Sequence, residues 1–136
     1  MEAFVDQFKA LSDKTRLKIL WLLRKLKTDL CVCEIMDSLD ERHCNVSRHL
    51  KILKIAGLVE ERKEGRWTYF SLPEQNSHFM DLILQAVLSI PEEYCFTDTQ
   101  KLKLRLSMRE NERCVVGLNS EKWARAVRVL TNKDTK

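Results

Sequence analysis

Glycine and proline are scarce in this chain: of 136 residues, three are glycine and two are proline. So few turn-formers favour helices. No stretch approaches the ~20 apolar residues that a membrane-spanning helix needs, so no membrane span is expected. The opening residues, MEAFVDQFKALSDKT, hold no apolar signal core, and a cytoplasmic location is expected. No internal repeat or low-complexity tract is visible. Also missing are a Ser-His-Asp set, a glycine-rich phosphate loop and paired catalytic carboxylates, so no enzymatic role is expected. A Cys-x-Cys pair can exchange thiols, but nothing beside it resembles a redox enzyme. Cysteine is present but odd in number: Cys31, Cys33, Cys44, Cys95 and Cys114. In a chain with no export signal, that points to thiols rather than a disulfide framework.

The length suits one domain with a modest core. With 44% hydrophobic and 32% charged residues, the composition is that of a globular protein rich in surface charge. The net charge of +4 matters less than its placement. Between residues 42 and 72 lie seven basic side chains (Arg42, Arg48, Lys51, Lys54, Arg62, Lys63, Arg66) against three acidic ones (Glu60, Glu61, Glu64). A local basic excess of this kind is what contact with phosphates requires.

Periodicity gives the elements. Phe4, Phe8 and Leu11 mark a short first helix. Ser12-Asp13 is an N-cap region for a second, carrying Leu17, Leu20, Trp21, Leu23 and Leu26. Thr28 or Asp29 is expected to cap a third, with Val32, Ile35, Met36 and Leu39 inward. After the polar turn Asp40-Glu41-Arg42-His43, a fourth helix turns Val46, Leu50 and Leu53 inward and Ser47, Arg48, Lys51 and Lys54 outward. Gly57 stands where a helix end wants positive φ. Two helices joined by a short turn, the second with a basic outer face, make a helix-turn-helix. Lys63-Glu64-Gly65 is a turn signal before the β-favouring Arg66-Trp67-Thr68-Tyr69-Phe70, so a hairpin, or wing, should follow.

The fold class expected is therefore mainly α with a small β-hairpin, a winged helix-turn-helix. Residues 1–91 should form this DNA-binding and dimerisation domain. Within it, a helix over residues 76–90 carries a double apolar stripe, Phe79, Ile83, Val87 and Ile90 flanked by Met80, Leu84 and Leu88. So wide a surface predicts cover by a second subunit, hence a homodimer. Residues 92–136 read as a C-terminal extension with one helix, capped by Thr97 and Gln100, and a partly ordered tail past about residue 118. Within it, residues 101–108 alternate in a strand-like way and Cys114-Val115-Val116 looks extended. Candidate DNA-binding residues are Asn45, Ser47, Arg48, His49 and Lys51 on the fourth helix and Arg62, Lys63 and Arg66 on the wing. A winged helix that binds protein rather than DNA is the alternative of a different class; the basic face argues against it.

Cys31 and Cys33, in Asp29-Leu30-Cys31-Val32-Cys33-Glu34-Ile35, are the candidate metal ligands. On a regular helix they lie about 100° to either side of Val32, so neither is centred in the core. Residues i and i+2 do not face each other on a helix, so one ion bridges both only if the helix start bends or unwinds. Placed in the first turn, Cys31 should have its thiol pKa lowered by free N–H groups and the helix dipole. Soft thiolates select soft ions. A third sulfur is open: Cys95 or Cys114 folding back from the extension, Met36 as a thioether, or Cys44, which the length of the intervening helix disfavours.

The stretch from about residue 8 to residue 72 resembles the ArsR/SmtB family of metal-sensing bacterial repressors. The resemblance lies in LSDKTRLKIL (residues 11–20), SRHLKILKIAGLV (residues 47–59) and GRWTY (residues 65–69). Residues 29–35 resemble the metal-box of its arsenic and cadmium/lead branches, Glu-Leu-Cys-Val-Cys-Asp-Leu. The resemblance implies a homodimeric repressor that leaves operator DNA when metal binds. Arsenite or antimonite would suit three thiolates in a pyramid; cadmium or lead is the alternative inducer, and thiol oxidation a further one. The chain departs from the arsenic pattern at Met36, where a third cysteine usually stands. It also lacks the Asp and His pairs that build a zinc site on the helix after the wing.

Overall fold

Apolar side chains at three- and four-residue spacing turn the first part of the chain into helices. In the computed structural model, which describes residues 1–74, 77–118 and 120–134, α1 spans Glu2–Leu11 and α2 Lys14–Leu26. Asp13 caps α2, its Oδ2 accepting from the Arg16 backbone N–H at 3.0 Å. Next come β1 (Leu30–Cys31), α3 (Val32–Leu39) and α4 (His43–Ile55). Gly57, at φ +76°, closes α4, and the Leu58 N–H returns to the Leu53 carbonyl at 2.9 Å. β2 (Glu60–Glu64) and β3 (Trp67–Ser71) form the hairpin. The pair Glu64↔Trp67 leaves Gly65-Arg66 as a two-residue turn, with Gly65 at φ +61°.

Two features differ from the expectation for residues 28–35. β1 adds to the hairpin, giving an antiparallel sheet of order β1-β3-β2 with Leu30↔Phe70 and Cys31↔Tyr69 in register. Helix α3 consequently starts later, and its N-cap is Cys31 rather than Thr28 or Asp29. Leu30 is fully buried, and its burial on the sheet holds the chain extended until Cys31.

The core joins α2 (Ile19, Leu20, Leu22), β1 (Leu30), α3 (Ile35), α4 (Leu50, Leu53) and Leu58. Helix α5 (His78–Leu88) packs on α2, and the Trp21 indole N–H donates to the Ile90 carbonyl at 3.1 Å. Asn76, the expected start of this helix, lies outside the described residues. The double stripe is covered mostly from within the chain: Met80, Ile83, Leu84 and Val87 are buried here. What stays uncovered is Leu82, with Phe4, Val5 and Phe8 of α1. Phe79 stands edge-on to Phe4 and Phe8, at centroid distances of 4.8 and 5.6 Å.

Residues 92–134 fold back on the helix-turn-helix. A short 3-10 helix (Glu92–Cys95) leads into α6 (Phe96–Leu106), which packs along α3 and buries Leu102 and Arg105. Cys95, not Thr97, stands at its N-cap. The strand-like alternation of residues 101–108 is mostly helix, because the buried faces lie against α3. Past residue 118, α7 (Glu121–Asp134) is a further helix, where a loosely ordered tail was expected.

Two arginines hold this extension. Arg105 donates from Nε to Asp37 Oδ2 at 2.8 Å and from Nη2 to the Val116 carbonyl. Arg109 clamps Glu34 at two points, Nη2 to Oε1 at 2.6 Å and Nε to Oε2 at 2.7 Å, and reaches the Asp29 carbonyl at 2.7 Å. Glu34 has 0% exposure, and its Oε1 also accepts from the Cys31 N–H at 3.1 Å. Removing one partner of a buried, hydrogen-bonded ion pair leaves the other charge stranded. Arg109→Met should therefore cost about 3–5 kcal/mol of stability, read as a lower urea midpoint; an unchanged midpoint would show that Glu34 does not depend on the clamp.

A second tie joins α2 to α4. His49 is turned inward, 8% exposed, and its Nδ1 lies 3.0 Å from Arg16 Nη1. A guanidinium only donates, so Nδ1 accepts and the bonded ring is neutral. Burial pulls the His49 pKa below the usual imidazole value; the Asp13 carboxylate, 3.8 Å away, opposes this, and Arg16 and Arg48 reinforce it. A base with a lowered native pKa stabilises the fold fully above its unfolded value, near 6.5, and loses that contribution as pH falls through the native one. The denaturation midpoint should fall as the solution is acidified from neutrality. In His49→Gln, whose amide oxygen accepts but does not protonate, that part of the profile should flatten; an identical profile in both proteins would rule His49 out as its source.

Candidate functional site

Pairing of β1 with β3 keeps Cys31 extended (φ −85°, ψ 163°), and α3 begins one residue later. The unwinding that a Cys-x-Cys pair requires is thus built into the fold: Cys31 ends a strand and Cys33 lies in the first helical turn. Both are buried, whereas helical phase alone placed them at the edge of the core. Tyr69 of the neighbouring strand β3 and Cys114 of the returning extension pack with the pair.

A third thiol arrives from that extension. Cys114 lies in the loop after α6, is 1% exposed, and clusters with Cys31, Cys33 and Tyr69, with Trp67 packed against them. Its backbone N–H donates to the Tyr69 hydroxyl oxygen at 3.0 Å, and Tyr69 is the register partner of Cys31. Cys31 Sγ, Cys114 Sγ and a Glu34 carboxylate oxygen all lie within 4.8 Å of one another. The remaining cysteines are elsewhere. Cys95 belongs to the main core, as does the half-buried Met36 packed against it, and Cys44 is exposed on the first turn of α4.

The three thiols are neighbours in one buried cluster, and the Cys114 Sγ–H donates to the Val116 carbonyl at 3.5 Å. For Cys31 the Cys114 thiol acts to lower the pKa. The Cys33 thiol, burial and the Glu34 charge outweigh it, and the Cys31 thiol is pushed up to about 12. Cys114 is raised as well, by the Cys31 thiol and by burial. Cys33 is lowered, chiefly by the Cys31 thiol beside it. The lowered thiol is thus Cys33, not the expected Cys31. At the N-cap Cys31 stands beside a buried carboxylate, whose charge counters the helix dipole. A cavity of about 410 Å³, lined by Cys31, Cys33, Trp67 and Gly117, opens beside the cluster.

The second region is the basic face. Arg48 and Lys51 are exposed on α4, and Asn45 and Ser47 are half-buried there, Asn45 donating to Glu41 at 3.4 Å. A groove of about 460 Å³ between α4 and the wing is lined by Ser47, Lys51, Lys54, Glu61 and Thr68. On the wing Lys63 is exposed and Arg66 lies over the Trp67 ring at 4.9 Å. Arg62 is engaged by Asp29 at 2.7 Å and Glu64 at 3.1 Å. Of the eight candidate DNA-binding residues, His49 stands apart, facing α2 rather than solvent.

Cys114 was one of several candidates for a third sulfur, but the arginines that position it, Arg105 and Arg109, were not singled out from the sequence. One signal was available. Glu34 and Asp37 are three residues apart, a spacing that places both acids on one face of α3; Arg105 lies in the last turn of α6 and Arg109 just past its end.

The described residues hold no helix long and apolar enough to cross a membrane. Residues 13–61 match the model of the arsR family of bacterial regulatory proteins. An arsenic resistance transcriptional regulator of Pseudomonas putida, ArsR2, is 34% identical over 72% of this chain and 84% of its own length. A cadmium resistance regulatory protein homolog of Staphylococcus aureus is 41% identical over 60% of this chain and 64% of its own. Among solved structures, reduced HlyU from Vibrio cholerae superposes with a TM-score of 0.55 at 28% identity, covering 66% of this chain and 92% of that one. The helix-turn-helix, the wing and these relationships agree: the chain belongs to the arsR family and is a winged-helix transcriptional repressor, not an enzyme.

Proposed function

We propose that this repressor binds a near-palindromic operator as a homodimer in the cytoplasm and leaves it when trivalent arsenic or antimony binds through Cys31 and Cys33. The observation that carries this reading is the pair of neighbouring, buried thiols at the junction of β1 and α3. Soft thiolates select soft ions over the hard cations that prefer oxygen. The relatives named for arsenic and cadmium resistance support a metal inducer. A second reading, cadmium or lead, draws on the Glu34 carboxylate beside the thiols, which offers an oxygen to an ion that takes more than three ligands.

An inducer releases DNA only by as much as it prefers the free state of the protein. Cys31 lies on β1, paired with the wing strand β3, and is the N-cap of the first helix of the helix-turn-helix. A bond at its sulfur therefore acts on the wing and on α3 together. On the DNA side, Asn45, Ser47, Arg48 and Lys51 are proposed to face the major groove, and Lys63, Arg66 and Arg62 to approach phosphates. Arg62 reaches a phosphate only by giving up Asp29 and Glu64. For the dimer, the uncovered apolar side chains of α1 and α5, Phe4, Val5, Phe8 and Leu82, are the surface that a second copy would cover.

The deciding experiment is a titration of the operator-bound protein with arsenite, antimonite, cadmium, lead and peroxide in parallel. Arsenite and antimonite should release DNA at the lowest concentrations, with a coupling of roughly 1–3 kcal/mol. Cys31→Ser and Cys33→Ser should keep operator affinity and lose release. Release of the double variant at the parent's arsenite concentration would overturn the site, and a stronger response to cadmium or peroxide would select that alternative.

The two basic elements should separate in binding assays. Arg48→Ala should weaken the operator by roughly 1–3 kcal/mol, the worth of a bidentate contact to a base edge, and leave nonspecific DNA little changed. Lys63→Ala should weaken both alike and reduce the salt slope by about one. Equal operator affinity of Arg48→Ala and the parent at matched salt would contradict this docking.

A further inference from the structure

We infer that Cys114 is the third thiolate of the inducer site, so that the C-terminal extension is part of the sensor. The inference rests on the reading of Cys31 and Cys33 as inducer ligands and deepens it. Its basis is a convergence of three elements. Cys31 comes from the end of β1, Cys33 from the first turn of α3 and Cys114 from the loop after α6, and all three join one buried cluster with Tyr69. The sulfurs of Cys31 and Cys114 lie within 4.8 Å of each other.

The extension holds Cys114 there through bonds that involve no ion. Its own N–H is fixed by the Tyr69 hydroxyl at 3.0 Å. Two residues on, the Val116 carbonyl is held by the fully buried Arg105, which is tied to Asp37 of α3 at 2.8 Å. Five residues before it, Arg109 clamps Glu34. These ties anchor the loop to α3 and to the wing on both sides of the sulfur. Pre-positioning of this kind lowers the ordering cost of binding. Cys95 and Cys44 have no such place, since one is packed in the main core and the other is exposed on α4.

The chemistry balances without an oxidant or reductant. Arsenous acid exchanges its three hydroxyls for three thiolates. Each thiol proton leaves with a hydroxyl as water, three As–S bonds replace three As–O bonds, and arsenic stays trivalent. The product links the extension to the base of the wing and to the first helix of the helix-turn-helix.

The test uses the full chain loaded with arsenite. Arsenic X-ray absorption should report three sulfur neighbours in the parent and in Cys95→Ser and Cys44→Ser, but two in Cys114→Ser. Cys114→Ser should bind operator like the parent and need roughly tenfold more arsenite, or beyond, for release. Cys114→Ala, with operator binding as the check on folding, should behave the same way if the serine hydroxyl disturbs the buried loop. Three sulfurs in both Cys114 variants, or release at the parent's concentration, would overturn the inference. Two sulfurs in the parent, both lost in the Cys31→Ser/Cys33→Ser variant, would overturn it while leaving the proposed function intact. Absence of sulfur around arsenic in the parent would overturn both.

Discussion

Glu34 is a fully buried carboxylate, and the arrangement around it depends on its being satisfied. One oxygen accepts from the Cys31 backbone N–H, and both are clamped by Arg109. An ionised carboxylate out of water is tolerated only with a partner of opposite charge and a full set of hydrogen bonds. Those two requirements reach into separate parts of the chain. The bond to Cys31 ties the end of β1 to the first turn of α3. The clamp by Arg109, itself bonded to the Asp29 carbonyl, draws the segment after α6 across the start of the helix-turn-helix. Satisfying one acid thus brings the Cys-x-Cys segment and the extension together.

The sheet carries the same junction to the DNA side. Cys31 pairs with Tyr69 on the wing strand, and Arg62 pairs with Tyr69 from the other side. The Tyr69 hydroxyl takes the Cys114 N–H, and the Arg109 guanidinium lies 5.7 Å from its ring centroid. The thiols therefore sit at the base of the wing. On the opposite side, Arg16 and Asp13 tie the start of α2 to His49. Helix α4 is braced by a side chain that its sequence position alone suggested for DNA.

Elements with strong local signals were legible in the sequence. The α2 stripe with Asp13 as its cap, the α4 stripe with Gly57 at positive φ and the Gly65 turn came from periodicity and turn chemistry, which are properties of short windows. The start of α3 was misplaced because Leu30 and Cys31 read as a helical first turn, while the burial of Leu30 against Phe70 holds them extended. The double stripe of α5 was rightly seen as needing cover. Its source was not legible, since α2 covers Met80, Ile83, Leu84 and Val87 within the chain and leaves Leu82 outside. His49 lies on the inward phase of α4 with Leu50 and Leu53, and its partner Arg16 is 33 residues away.

The sequence by itself determined that the chain is a winged helix-turn-helix whose second helix has a basic outer face and that two thiols stand one residue apart before it. Those features rest on local periodicity, local charge and covalent spacing. The tertiary structure alone decided which thiol is lowered, which third sulfur lies beside the pair and what covers each apolar face. Those outcomes depend on burial and on packing between segments far apart in sequence, as with Glu34 and Arg109 or Asp37 and Arg105. No window of sequence contains both halves of such a pair, and neither half reveals the other until the chain is closed around them.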